Sequence, residues 1–169
     1  MKYYSLAVNP NRGILVEPVQ SFEQDVCDNP ELYRNKEFKI YQRKKVVDAI
    51  EFDCIGWFGI SEKFKKVLED NGFTGYKLIP IHIKDIDKPY YILIVTNSAK
   101  NLTPDTEELD RFIKLNDMKK ADFSIIENTR TILVNEKVKK ALEKAKISNI
   151  YFENVENISD DVAFLKFYQ

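Results

Sequence analysis

The sequence predicts an α+β domain: a mixed or antiparallel sheet carrying two similar strand-helix-strand units whose helices pack on it. Three observations lead there. The stretch Ile60 to Ile81, ISEKFKKVLEDNGFTGYKLIPI, is echoed without a gap by Val134 to Val155, VNEKVKKALEKAKISNIYFENV, so that Glu62 and Glu136, Leu68 and Leu142, and Ile81 and Val155 all stand at one fixed offset. In each copy apolar residues recur at helical spacing behind a capping residue. Apolar residues alternating with a period of two follow each helix. Six of the 22 aligned pairs are identical and five of those six are charged, so the weight falls on the turn and strand after the helix. There Phe73/Ile147, Thr74/Ser148, Tyr76/Ile150 and Leu78/Phe152 keep matching in character. The units are expected at about 55–83 and 130–156, within one domain spanning 1–169.

Ahead of the first unit the chain is irregular. Lys2 to Val8 reads as a strand of aromatic and β-branched residues, stopped by the turn sequence NPNRG. ILVEP is a short second strand, and DNPELY is a helical turn opened by Asn29 with Pro30 at its first position. Glu37 to Gln42 and Val46 to Asp53 are two further strands.

In the first unit GWFGI is the leading strand. Ser61 is the N-cap of the helix, because its hydroxyl can accept a bond from an amide that would otherwise lack a partner. Glu62 suits the positive helix end. Phe64, Val67 and Leu68 form one apolar face, and Gly72 ends the helix in the left-handed conformation. The strand YKLIPIHIKDI puts Ile79, Ile81 and Ile83 on one side, with Pro80 marking an edge or a bulge because it removes a ladder donor. KDIDKP then turns the chain into YYILIVT, apolar after its tyrosines and so a central strand covered on both faces.

NSAKNLTPDTEELD is a polar loop with a turn of helix capped by Thr103. FSIIE and TILV form a hairpin around NTR. The second unit follows, with Asn135 as cap, Val138, Ala141 and Leu142 as helix face, and IYFENV as closing strand. The tail ISDDVAFLKFY ends in an alternating strand.

Composition excludes several functions. A formal net charge of −1 argues against a protein that grips a phosphate backbone, so no nucleic-acid partner is expected. No apolar run approaches the ~20 residues of a membrane span, and the start of the sequence does not read as a signal peptide. Cys27 and Cys54 lack CxxC spacing and read as free thiols of a cytosolic protein. A soluble, cytoplasmic protein is expected.

Catalytic patterns are sparse. His82 is the only histidine, which rules out multi-histidine metal sites and weakens triad chemistry; it reads as a surface side chain opposite the isoleucines. The five glycines form no phosphate loop. Glu51 and Asp53 share one side of a strand and could hold a divalent cation. Glu37 and Lys39, with Asp25 or Asp28 upstream, are similar to the acidic-x-lysine strand of metal-dependent nucleases, the alternative reading. A structural or regulatory interaction module is a further alternative. No metal and no cofactor is expected, and solvated strand faces are the ordinary explanation of such pairs. Acidic residues also gather at three places, Asp85 with Asp87, then Asp105, Glu107, Glu108 with Asp110, then Glu153, Glu156, Asp160 with Asp161, where they could steer a basic partner.

From about Val46 to Glu156 the two units resemble a family of bacterial immunity proteins from polymorphic toxin systems, the immunity-eleven type. The residues that carry the likeness are Ser61, Glu62, Leu68, Thr74, Gly75, Pro80 and Ile81, then Val134, Asn135, Glu136, Leu142, Ile150, Phe152 and Val155. The second copy departs from the pattern, with Asn149 at the turn glycine and Asn154 at the proline. The resemblance implies a protein without catalytic activity that binds a cognate toxin domain and blocks its active site or its folding. The toxin-facing residues expected here are Asp85, Asp87, Asp105, Glu107, Glu108 and Asp110.

Overall fold

Strand pairing dominates the molecule. The computed structural model describes residues 1–10, 12–20, 29–43, 45–52, 57–103 and 110–166. Of these, 45% are strand and 18% helix, which overturns the α+β expectation: the chain is mostly β, with two barrel-like sheets and three short helices. The helices form no layer over a single sheet.

The first barrel contains β2 (Leu15–Pro18), β3 (Glu37–Gln42), β4 (Ala49–Phe52), β5 (Phe58–Ser61), β6 (Tyr76–Ile83) and β7 (Tyr90–Val95). They run in the order β2-β3-β6-β7-β5-β4, and β2 pairs in parallel with β4 to close the ring. The second sheet contains β1 (Tyr3–Val8), β8 (Ser98–Ala99), β9 (Arg111–Lys114), β10 (Phe123–Ile126), β11 (Ile132–Asn135), β12 (Ile150–Asn157) and β13 (Val162–Leu165), in the order β8-β10-β11-β1-β12-β13-β9. Its two ends meet where Asn101 bridges Ile113 and the Leu102 N–H donates to the Phe112 carbonyl at 2.7 Å. Rolling up in this way leaves few unpaired strand edges.

Between the barrels lie α1 (Glu62–Asp70) and α3 (Glu136–Lys144), which pack on each other and on strands of both sheets; α2 (Leu115–Met118) is a single turn. Three apolar cores result. Ile50, Phe52, Ile79, Ile83, Ile92 and Phe38 fill the first barrel. Ile113, Ile126, Leu133, Val155 and Leu165 fill the second. Phe64, Leu68, Val138 and Leu142, each at 0% exposure, join Leu6, Leu93 and Phe123 in a middle core. The alternation of β7 explains its covered faces: Ile92 and Ile94 enter the first barrel while Leu93 and Val95 enter the middle core.

The repeat extends further than the quoted echo. β4, β5, α1 and β6 each reappear, at the same fixed offset, as β10, β11, α3 and β12. β7 lies between β5 and β6, and the matching place between β11 and β12 is taken by β1. These two strands are themselves related: Tyr3-Tyr4-Ser5-Leu6-Ala7-Val8 and Tyr90-Tyr91-Ile92-Leu93-Ile94-Val95 match at both tyrosines, the leucine and the valine. Each half of the chain therefore begins with a strand that completes the barrel of the other half. This pair stands at a larger offset than the rest, because the connection from Val8 to Asp48 is longer than the one from Val95 to Asp122.

Local expectations fare unevenly. Ser61 Oγ accepts from Phe64 N at 3.2 Å, and Asn135 Oδ1 accepts from Lys137 N and Val138 N at 3.0 and 3.1 Å, as capping predicts. Pro80 sits at a seam: its carbonyl accepts from Asn35 N at 3.0 Å, so its missing N–H faces the short β3–β6 junction and not the β6–β7 ladder. The turn at Pro30–Tyr33 is a 3-10 helix, and Asn29 makes no side-chain cap. The strand expected over Val46 to Asp53 shortens to β4. Thr103 caps no helix among the described residues; its hydroxyl accepts from Phe112 N at 2.8 Å, beside the barrel closure.

Candidate functional site

Carboxylates that looked available for chemistry are mostly engaged. Lys39 Nζ lies 3.0 Å from Glu17, and Glu51 accepts from Arg43 at 2.8 Å. Glu37 faces His82 at 3.9 Å on an open surface where the histidine side chain is 64% exposed. Asp25, Asp28, Asp53, Cys27 and Cys54 lie outside the described residues. Among the described residues no group of three or more His, Cys, Asp or Glu side chains is arranged to hold a metal ion.

The best-organised acidic side chains are Asp48 and Asp122, equivalent positions of the two repeats, and their work is architectural. Asp48 Oδ1 accepts from Ser61 Oγ at 2.8 Å, while Oδ2 accepts from the Ser148 amide and hydroxyl at 2.8 and 2.9 Å. Asp122 repeats this: Oδ1 accepts from Asn135 Nδ2 at 2.6 Å, and Oδ2 accepts from the Thr74 amide and hydroxyl at 2.9 and 3.0 Å. Each aspartate thus ties the helix cap of its own half to the turn of the other. Burial alone would raise the Asp48 pKa, but the Ser148 amide, the two serine hydroxyls and the Lys63 ammonium outweigh it and hold the group below its ordinary value.

The same clasp explains the turn residues of the motif. Gly75 has φ +89°, and a Cβ there would stand 2.3 Å from the Phe123 carbonyl oxygen. In the second copy Asn149, at φ +68°, meets the corresponding carbonyl of Ala49 with a hydrogen bond from its Nδ2 at 2.8 Å. The departure from glycine is therefore compensated by a new contact.

Three of the six expected partner-facing acids fall among the described residues. Asp85, at φ +65°, and Asp87 lie in the β6–β7 turn of the first barrel. Asp110 precedes β9 of the second barrel, whereas Asp105, Glu107 and Glu108 fall outside the described residues.

The tyrosines that open β1 and β7 have no counterpart among the residues expected from sequence. They are deeply buried at equivalent ends of the two barrels: Tyr90 is 2% and Tyr3 2% exposed. Tyr90 donates its hydroxyl to the Val47 carbonyl at 2.6 Å, while Val47, Ile83 and Ile86 close that end with apolar side chains. Burial and the nearby Asp48 charge push the Tyr90 pKa up to about 12. Among the described residues Tyr3 Oη has no hydrogen-bond partner. Asn157 is the repeat equivalent of Ile83, and Ile158 beyond it is 54% exposed. A cavity of about 420 Å³ opens here, lined by Met1, Tyr3, Leu115, Lys119, Asn157, Ile158, Ser159 and Asp160. The repeated Tyr-Tyr-x-Leu-x-Val was the available signal, hidden by its different spacing.

Compared with models of known protein families and with curated proteins, the chain finds no match. Among the described residues no helix is long and apolar enough to cross a membrane.

Proposed function

We propose that the chain is an immunity-type protein that neutralises a cognate bacterial toxin in the cytoplasm by direct contact and performs no reaction of its own. The observation that carries this reading is where the resembling motif residues fall. Ser61, Thr74, Gly75 and Asn135 build the reciprocal clasp, and Leu68, Ile81, Leu142 and Val155 fill the cores it holds together. The shared pattern is thus a frame, and loops are left to vary around it, a division of labour that suits a family of binders facing different toxins. A toxin interface of ordinary size would bury roughly 1,600 Å² in total. The acidic turn at Asp85 and Asp87, together with Asp105, Glu107, Glu108 and Asp110, is the proposed steering surface for a basic toxin face.

The nuclease alternative gains no support from the described residues, since Lys39 is paired with Glu17 and Glu37 faces His82 on an open surface. Tagged chain expressed in its native cells should retain one partner encoded beside its own reading frame, and co-expression should rescue a host from that partner. Asp85→Lys with Asp87→Lys should weaken the complex about tenfold or more, chiefly through slower association. A chain that captures no neighbouring gene product, and instead cleaves nucleic acid in magnesium or manganese, would reverse the conclusion.

A further inference from the structure

The two long helices end with the same backbone geometry but with different residues. Gly72, at φ +62°, donates its amide to the Glu69 carbonyl at 3.0 Å, and Phe73 donates to the Leu68 carbonyl at 3.2 Å. Lys146, at φ +52°, and Ile147 make the corresponding bonds to Glu143 and Leu142 at 2.9 and 3.1 Å. Ahead of the turn stands Asn71 in one copy and Ala145 in the other, each with ψ −4°. The fold therefore needs the left-handed turn but not an Asn-Gly pair, since Ala-Lys forms it too. Asn71 is the only asparagine of the chain that precedes a glycine. Both residues of the pair are exposed, and nothing lies within 4 Å of where a Gly72 Cβ would stand. Asparagine before glycine is the pair most prone to deamidation, because the missing side chain leaves the following amide nitrogen unhindered and its backbone free to turn.

We propose that Asn71-Gly72 is a self-modifying site whose deamidation loosens one of the two clasps. The Gly72 nitrogen attacks Asn71 Cγ and gives up its proton. A new C–N bond closes a succinimide ring, the Cγ–Nδ2 bond breaks, and ammonia leaves with that proton. Water then opens the ring at one carbonyl or the other, leaving aspartate or isoaspartate. The folded helix end holds this reaction back. The Gly72 N–H is engaged by Glu69, Asn71 Nδ2 donates to the Val67 carbonyl at 2.8 Å, and ψ −4° keeps the Gly72 nitrogen away from the carbon it must reach. Fraying of the last turn releases all these restraints together. The consequence falls on the clasp, because Thr74, just beyond, gives its amide and hydroxyl to Asp122 at 2.9 and 3.0 Å. Isoaspartate lengthens the backbone by one carbon immediately before that turn. Either product sets a carboxylate against the Val67 carbonyl and adds a third acid to Glu69 and Asp70 at the negative end of α1. The Asp48–Ser148 clasp has Ala145-Lys146 in the equivalent place and is spared. This inference stands apart from the reading of the chain as a toxin-neutralising protein.

The test holds the full chain at mildly alkaline pH, folded and in urea, and follows it by peptide mapping with mass spectrometry and an isoaspartate-specific methylation assay. In urea Asn71 should be converted before any other asparagine. In the folded chain its conversion should be about tenfold or more slower, because the reaction waits for a rare opening of the helix end. Asn71→Ala, which copies the second unit, should block the modification without loss of folding. The isoaspartate-bearing chain, more acidic than the parent, is then separated by ion exchange and its amide hydrogen exchange measured. Thr74 should exchange about tenfold faster than in the unaged chain, and Ser148 at its former rate. The Asn71→Ala chain aged alongside should show neither change. Earlier conversion of another asparagine in urea, equal rates in folded and unfolded chains, or a Thr74 amide as well protected after conversion as before would each overturn the proposal.

Discussion

Tyr3 and Tyr90 show how one residue type can serve opposite ends in a single molecule. Changing Tyr90 to Phe orphans the Val47 carbonyl and should cost about 1 kcal/mol in urea unfolding, whereas Tyr3→Phe should be neutral or slightly stabilising. Asp48 makes a second residue-level claim. Its folded pKa lies below the unfolded value near 3.9, so its contribution is complete above that value and lost as pH falls through the folded pKa. Asp48→Asn should lower stability at neutral pH by about 1–3 kcal/mol and flatten the acid limb of the stability profile. An unchanged limb would mean that other carboxylates govern acid unfolding. Residue-level reading of the sequence succeeded where the chemistry is local: both caps, the helix faces and the exposed His82 follow from side chains acting on their near neighbours. Tyr3 could not be found that way, because its missing partner is defined only by comparison with a distant equivalent.

Among the elements, the two helices carry the clearest sequence signal and the turn after each carries the tightest constraint. Gly75→Ala should destabilise by about 1–3 kcal/mol, since a methyl group would press on the Phe123 carbonyl and the backbone is left-handed. Gly75→Asn, which copies the second unit, should cost less than Gly75→Ala in the same denaturation assay. Leu68→Ala and Leu142→Ala should each cost about 2–5 kcal/mol, as both side chains are wholly buried in the middle core. Short strands were harder to read. β9 is only Arg-Phe-Ile-Lys and β8 only Ser-Ala, too few for alternation to separate strand from loop. Yet these are the strands that close the second barrel, which is why two capped helices suggested an α+β layer and closure went unforeseen.

At the scale of the whole molecule, neither barrel is complete without a strand from the other half. Equilibrium unfolding followed by tyrosine fluorescence, with Trp57 reporting on the first barrel, and by far-ultraviolet dichroism should therefore give coincident single transitions. Two separated transitions would show that the barrels stand independently. The middle core argues the same way, because Leu6 of β1 and Leu93 of β7 meet there beside both helices.

The position of β1 also bears on how the protein is made. Tyr3 pairs with Asn135 and Val155, so β1 leaves the ribosome well before its neighbours and finds them only once Val155 has followed it. At about 5–20 residues per second, that strand waits roughly 8–30 s with its apolar residues unclaimed. Nascent chains halted before Val155 should accordingly be held by chaperones and cleaved readily around β1, and the emergence of β11 and β12 should release them.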